Sequence, residues 1–220
     1  MFIEAGDSIY IEAEATKLNA SVTFSGVGAA HNTFLMDLQK TFEQKGENFD
    51  NRRVVKDLAP EEYVKYIADL KKKRYDFYNN HNIKSTATPS FEAFHQIETE
   101  YKSALALLNY PILHARQNGD AEATPVSDKY YDFLKDLSLE NETAMLIPSY
   151  TSFLDGYVAN RLSREHIQKN KAYDFDNYYA DKFLGAAATI KAGISTLIQK
   201  KFLQLTFHQL GNNFQFFLLN

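Results

Sequence analysis

Six histidines in a chain of 220 residues invite a metal reading first. Glu92 and His95 form an E-x-x-H pair, which on a helix sets a carboxylate and an imidazole on one face, as in a di-iron bundle. Such a centre needs a second E-x-x-H and two further inward glutamates. None of the other histidines has an acidic residue three positions before it. His95, beside Phe94 on the expected core side, therefore reads as a histidine at a core edge. Glu165 and His166 are adjacent and diverge on a helix, so no H-E-x-x-H zinc site exists. Gly26-Val27-Gly28 lies where a dinucleotide fingerprint would, after a strand and before a helix, yet its third glycine position is His31. A strand-to-helix turn using glycine backbone angles is the simpler reading. Neither G-x-x-x-x-G-K-[ST], G-x-S-x-G nor S-x-x-K occurs.

With zero cysteines, the chain has no disulfide framework, no CxxC redox pair, no thiolate metal site and no cysteine nucleophile. No residue is assigned a catalytic, cofactor or metal role. The most idiosyncratic string is Tyr110-Pro111-Ile112-Leu113-His114, where a tyrosine and a histidine bracket a proline. It either lines a groove, making Tyr110 and His114 candidate ligand or partner contacts, or forms a helix junction with ring bodies inward and polar tips outward. The chain holds 14 Tyr and 17 Phe without Trp. Tyrosine spread along amphipathic helices suits helix packing plus partner contact, where a buried ring keeps a wet hydroxyl.

Charge narrows the partners. A formal net charge of -4 argues against non-specific nucleic-acid binding, which needs a clustered Lys/Arg surface. The one basic run, Lys71 to Arg74, lies between Asp69 and Asp76 and reads as the solvated face of a helix. No stretch approaches the ~20 apolar residues of a membrane span. The first fifteen residues carry Glu4, Asp7, Glu12 and Glu14 without Lys or Arg, unlike a secretory signal.

The elements that would position these residues fall into three parts. Residues 1–28 carry short apolar and β-branched runs around the turn Gly6-Asp7-Ser8, which predicts a β-hairpin. A hairpin alone is not an independent sheet, so its partners lie elsewhere or it packs on helices. Residues 29–202 follow a helical period. Phe34, Leu35, Leu38 and Phe42 share a face before Gly46. Pro60-Glu61-Glu62 starts a helix with Tyr63, Tyr66, Ile67, Leu70 and Phe77, closed near Asn79 to Asn82. Thr88-Pro89-Ser90 opens the next, which Pro111 should stop near Asn109 or kink. After a surface loop from Gln117 to Pro125, Ser127 would cap a helix bearing Tyr130, Phe133, Leu134 and Leu137. Further helices are expected after Pro148, over Tyr173 to Leu184 and over Ala186 to Phe202. The fold expected is mainly α: a multi-helix bundle of about seven helices with a short N-terminal β-hairpin. Residues 203–220 contain no charged side chain and several Phe and Leu. This tail either packs as a final element or is an abnormal ending.

An ordered set of strings carries a resemblance. Ala5-Gly6-Asp7-Ser8-Ile9, Phe24-Ser25-Gly26 leading to Asn32, Tyr101, Ala104 through Pro111, and Tyr130-Tyr131-Asp132-Phe133-Leu134 resemble the region upstream of the thioredoxin domain in TlpA-like thiol:disulfide oxidoreductases of Bacteroidetes type. The similarity covers about residues 2 to 185. It implies an order of export signal, small β domain, helical region and thioredoxin-like domain acting in the periplasm or cell envelope. It also implies that residues 1–28 are the remnant of the β domain, and that the chain is a fragment lacking the redox domain. The family's W-C-x-x-C matches no position here. The expectation is a non-catalytic helical accessory domain, without cofactor, that positions the redox domain or binds a client or partner protein. The alternative is a stand-alone helical ligand-binding protein or enzyme with a cleft near Tyr110 and His114.

Overall fold

The computed structural model describes residues 1–17 and 21–169, and the helices expected over 173–184 and 186–202 and the tail 203–220 lie outside them. Within the described residues the protein is mainly helical with one N-terminal β-hairpin. Strands β1 (Ser8–Glu12) and β2 (Thr23–Val27) pair antiparallel, with Ser8 opposite Val27 and Glu12 opposite Thr23. Two glycines are required where the hairpin meets the helices. Gly26 has φ 93°, and a Cβ there would collide with the Ser8 carbonyl oxygen. Gly28, at φ 85°, precedes the first helix, and a Cβ would strike the Asp7 carboxylate. Gly26-Val27-Gly28 is thus a strand-to-helix turn beside a two-stranded antiparallel sheet, the geometry its glycines permit.

Helix α1 (Ala29–Phe42) ends in a 3-10 turn closed by Gly46 at φ 75°. A short helix α2 (Arg52–Asp57), not anticipated from periodicity, is held at its start by Asn51, whose side chain accepts from the Arg53 and Val54 amides. Helix α3 (Pro60–Asn80) begins as expected, with proline in the first turn and Glu62 accepting from the Ala59 amide. Helix α4 (Pro89–Asn118) is capped by Thr88, whose hydroxyl accepts from the Phe91 amide at 3.2 Å.

Helix α4 does not stop at Asn109. It runs through Pro111 to Gly119, which ends it at φ 83°. Proline has no N–H to offer the carbonyl four residues earlier, Leu107. The Tyr130 hydroxyl takes that place, donating to the Leu107 carbonyl oxygen at 2.8 Å. Tyr130 itself belongs to a 3-10 segment, Asp128–Asp136, where an α-helix was expected.

By its contacts the chain divides into two compact units, Met1–Tyr130 and Tyr131–Asn220. The first has a hydrophobic core of Phe34, Tyr78, Ile83 and Phe91, against which Phe2, Leu35, Leu38, Phe77 and Phe94 pack. A second centre stacks Tyr63 on Tyr110 at 4.4 Å between ring centroids. The described part of the second unit contains the 3-10 turn Glu142–Leu146 and helix α5 (Pro148–Lys169). There Tyr150, Phe153 and Leu154 are fully buried, and the Tyr150 hydroxyl donates to the Leu139 carbonyl.

Candidate functional site

Tyr110 and His114 sit one turn apart on α4, with ring centroids 5.1 Å apart. Neither presents a free polar tip. Tyr110 is completely buried, and its hydroxyl donates to the Leu58 carbonyl at 2.6 Å in the connection between α2 and α3. Burial holds its phenol up at about 12. His114 Nδ1 lies 2.7 Å from the Thr124 hydroxyl, while the Asn118 amide approaches Nε2 at 3.3 Å. The helix is continuous at Pro111, so the pair marks no junction: the Tyr110 ring is buried, His114 is half-buried, and the Tyr110 hydroxyl is tied to backbone rather than to water.

The same use of tyrosine recurs in this unit. Tyr63 donates to the Phe49 carbonyl at 2.7 Å and Tyr66 to the Asn48 carbonyl at 3.1 Å, so both rings anchor the segment between α1 and α2. Desolvation raises both phenols above the ordinary tyrosine value. Tyr75 and Tyr78 instead donate to carboxylates, Glu100 at 2.8 Å and Glu92 at 3.0 Å. Glu92 is further bound to Lys84. His95 is engaged differently: buried, it stacks on Tyr78 at 4.6 Å. Glu92 and His95 are thus both engaged with Tyr78, the carboxylate accepting from its hydroxyl and the imidazole stacked on its ring. Among the described residues no group of three or more His or acidic side chains is placed to hold a metal ion.

One turn from Tyr110, on the face of α4 that carries Asn109 and Leu113, lies a cavity of about 600 Å³. Its other walls include Asn48, Phe49, Tyr63 and Arg74, but neither Tyr110 nor His114. The volume is that of a small-molecule site. Arg74 corrects the expectation for the basic run. Lys71, Lys72 and Lys73 pair with Glu100, Asp76 and Glu47, whereas Arg74 is only 4% exposed. A signal for this existed in the sequence: Tyr63, Ile67, Leu70 and Arg74 are spaced by four, three and four residues, so Arg74 continues the buried stripe of α3.

The hairpin is the other unusual surface. It is held to the helices through the N-terminal segment. The Asn32 side chain makes two hydrogen bonds with the Phe2 backbone, both at 2.8 Å, and Glu4 accepts from the Thr88 and Ser90 hydroxyls. These two hydroxyls hold the Glu4 carboxyl below the usual carboxylate range, Ser90 first. Beyond this staple, Ile3, Tyr10, Ile11 and Val27 are more than half exposed. β1 and β2 are each other's only strand neighbours among the described residues. No described helix is long and apolar enough to cross a membrane. Compared with protein-family models, curated proteins and solved structures, the chain matches none.

Proposed function

We propose that the chain is a non-catalytic helical accessory module, of the kind found in TlpA-like thiol:disulfide oxidoreductases of the cell envelope, which docks a partner β element through its N-terminal hairpin. One observation supports this above others. Two short strands with exposed Tyr10, Ile11 and Val27 are tied to a helical body through Phe2 and Glu4, and among the described residues each has the other as its only strand neighbour. An exposed, apolar strand edge is a template for another strand, and proteins ordinarily cover or charge it. Glu4, Asp7, Glu12 and Glu14 make the surrounding segment acidic, which suits a partner strand with basic flanks.

The test uses the small β domain and the thioredoxin domain of a TlpA-like oxidoreductase, each purified and titrated into the chain. The expected result is saturable binding by the β domain with slowed hydrogen exchange at Ser8–Glu12 or Thr23–Val27. Ile11→Lys should then weaken binding at least roughly tenfold, about 1.4 kcal/mol. Absence of binding and of hairpin protection with both domains overturns the proposal. The alternative, a ligand-binding protein with a cleft near Tyr110 and His114, draws support from one observation, the cavity walled by Asn109 and Leu113.

A further inference from the structure

Arg74 is a cation without an adequate partner. Its guanidinium offers five N–H donors and keeps its charge in a protein. It is buried, with Nε shielded from solvent and bonded to none of the described residues. Its ion pair with Glu43 is 4.0 Å long, beyond hydrogen-bond distance. Phe42 and Phe49 flank it, their ring centroids 5.3 and 4.6 Å from the guanidinium carbon, which positions the group without satisfying its donors. Asn48 Oδ1 is a second orphan, buried and accepting from none of the described residues. Both residues wall the same cavity, which is also lined by Leu105, Ala106 and Leu113 of α4. Buried polar atoms are nearly always paired, so two orphans at one cavity of ligand size call for an occupant.

The chemistry of that occupant follows from the walls. An unpaired guanidinium matches a planar carboxylate, which it can grip with two parallel hydrogen bonds. An unpaired amide oxygen requires a donor. The apolar face requires a hydrocarbon body. Lys102 also lines the cavity but is already paired with Glu98 at 2.8 Å, and exposed Glu43 and Asp50 at the rim disfavour a polyanion such as phosphate while tolerating an ammonium. We propose that this cavity binds the carboxylate end of an amino acid with an apolar side chain, free or as the last residue of a peptide. The carboxylate lies on Arg74, the α-nitrogen donates to Asn48 Oδ1, and the side chain lies against Leu105, Ala106 and Leu113.

Calorimetric titration of the whole protein with L-leucine, the tripeptide Ala-Ala-Leu and the C-terminal amide of each tests this. At least one free acid should bind saturably below ~1 mM, and its amide at least roughly tenfold more weakly. Tighter binding of leucine assigns a free amino acid, tighter binding of the tripeptide a peptide tail, and both support the proposal. Arg74→Met keeps the packing between Phe42 and Phe49 and should abolish binding in a chain that circular dichroism shows to be folded. Leu105→Trp, which fills the cavity and leaves Arg74 in place, should do the same and carries the test if Arg74→Met does not fold. No saturable binding of either acid up to ~10 mM, amides as good as acids, or undiminished binding by a folded variant overturns it.

Discussion

His95 stacks on Tyr78 in the core of the first unit, and its Nε2 has no hydrogen-bond partner. Burial, reinforced by the Arg74 charge, pushes its imidazolium down to about 4. The unfolded chain takes up this proton near the ordinary histidine value of about 6.5, while the folded protein does not. Stability from this residue is therefore complete above about pH 6.5 and is lost as pH falls towards 4, a difference on the order of 3 kcal/mol across the window. The pH dependence of urea unfolding should show this decline, and His95→Gln should flatten it between pH 6.5 and 5. A decline as steep in the variant would assign it to other groups. Tyr110 makes a parallel case without titration. Removing its hydroxyl leaves the half-buried Leu58 carbonyl without this donor, so Tyr110→Phe should lose about 1 kcal/mol in denaturant unfolding. A polar tip that merely faced water would lose almost nothing.

Helix α4 shows how an element can override a local rule. Pro111 removes one amide donor, and the resulting gap at the Leu107 carbonyl is filled by Tyr130, 23 residues from Leu107 along the chain. A double-mutant cycle isolates this coupling. Tyr130→Phe should cost about 1–2 kcal/mol in the native sequence and distinctly less with Pro111→Ala, where the backbone amide can serve Leu107 itself. Equal costs in both backgrounds would show that the hydroxyl does not stand in for the amide. The same contrast separates what was legible from what was not. The starts of α3 and α4 were readable because Pro60-Glu61-Glu62 and Thr88-Pro89 satisfy their own turns with local atoms. The passage through Pro111 was not, because its compensation comes from another segment. Arg74 falls between these cases. Its spacing from Leu70 and Ile67 placed it on the buried face, but its charge and its three lysine neighbours argued for solvent, and the cavity it walls was missed with it. Tyr110 and His114 lie on the same helix, α4, but outside the walls of that cavity.

At the scale of the whole molecule, a set of long-range hydrogen bonds joins residues of the first unit to one another. Phe2 is tied to Asn32, Glu4 to Thr88 and Ser90, Tyr110 to Leu58, Asn118 to Lys56 and Tyr130 to Leu107. The staple at Phe2 and Glu4 brings the hairpin into this set, so the exposed strands are carried on a body with its own core. A chain of residues 1–136 retains every one of these bonds. It should therefore unfold cooperatively in thermal melts, since a self-contained core of this size is enough for a two-state domain. Cutting at residue 126 removes Tyr130, leaves Leu107 without a donor opposite Pro111 and uncovers part of the tyrosine cluster. That shorter chain should melt several degrees lower, as a deficit of about 1–2 kcal/mol requires for a domain of this length. A 1–136 chain without a cooperative transition would mean that the hairpin and helices depend on residues beyond Asp136. Equal melting of the two truncations would instead remove Tyr130 from the set of contacts that close the unit.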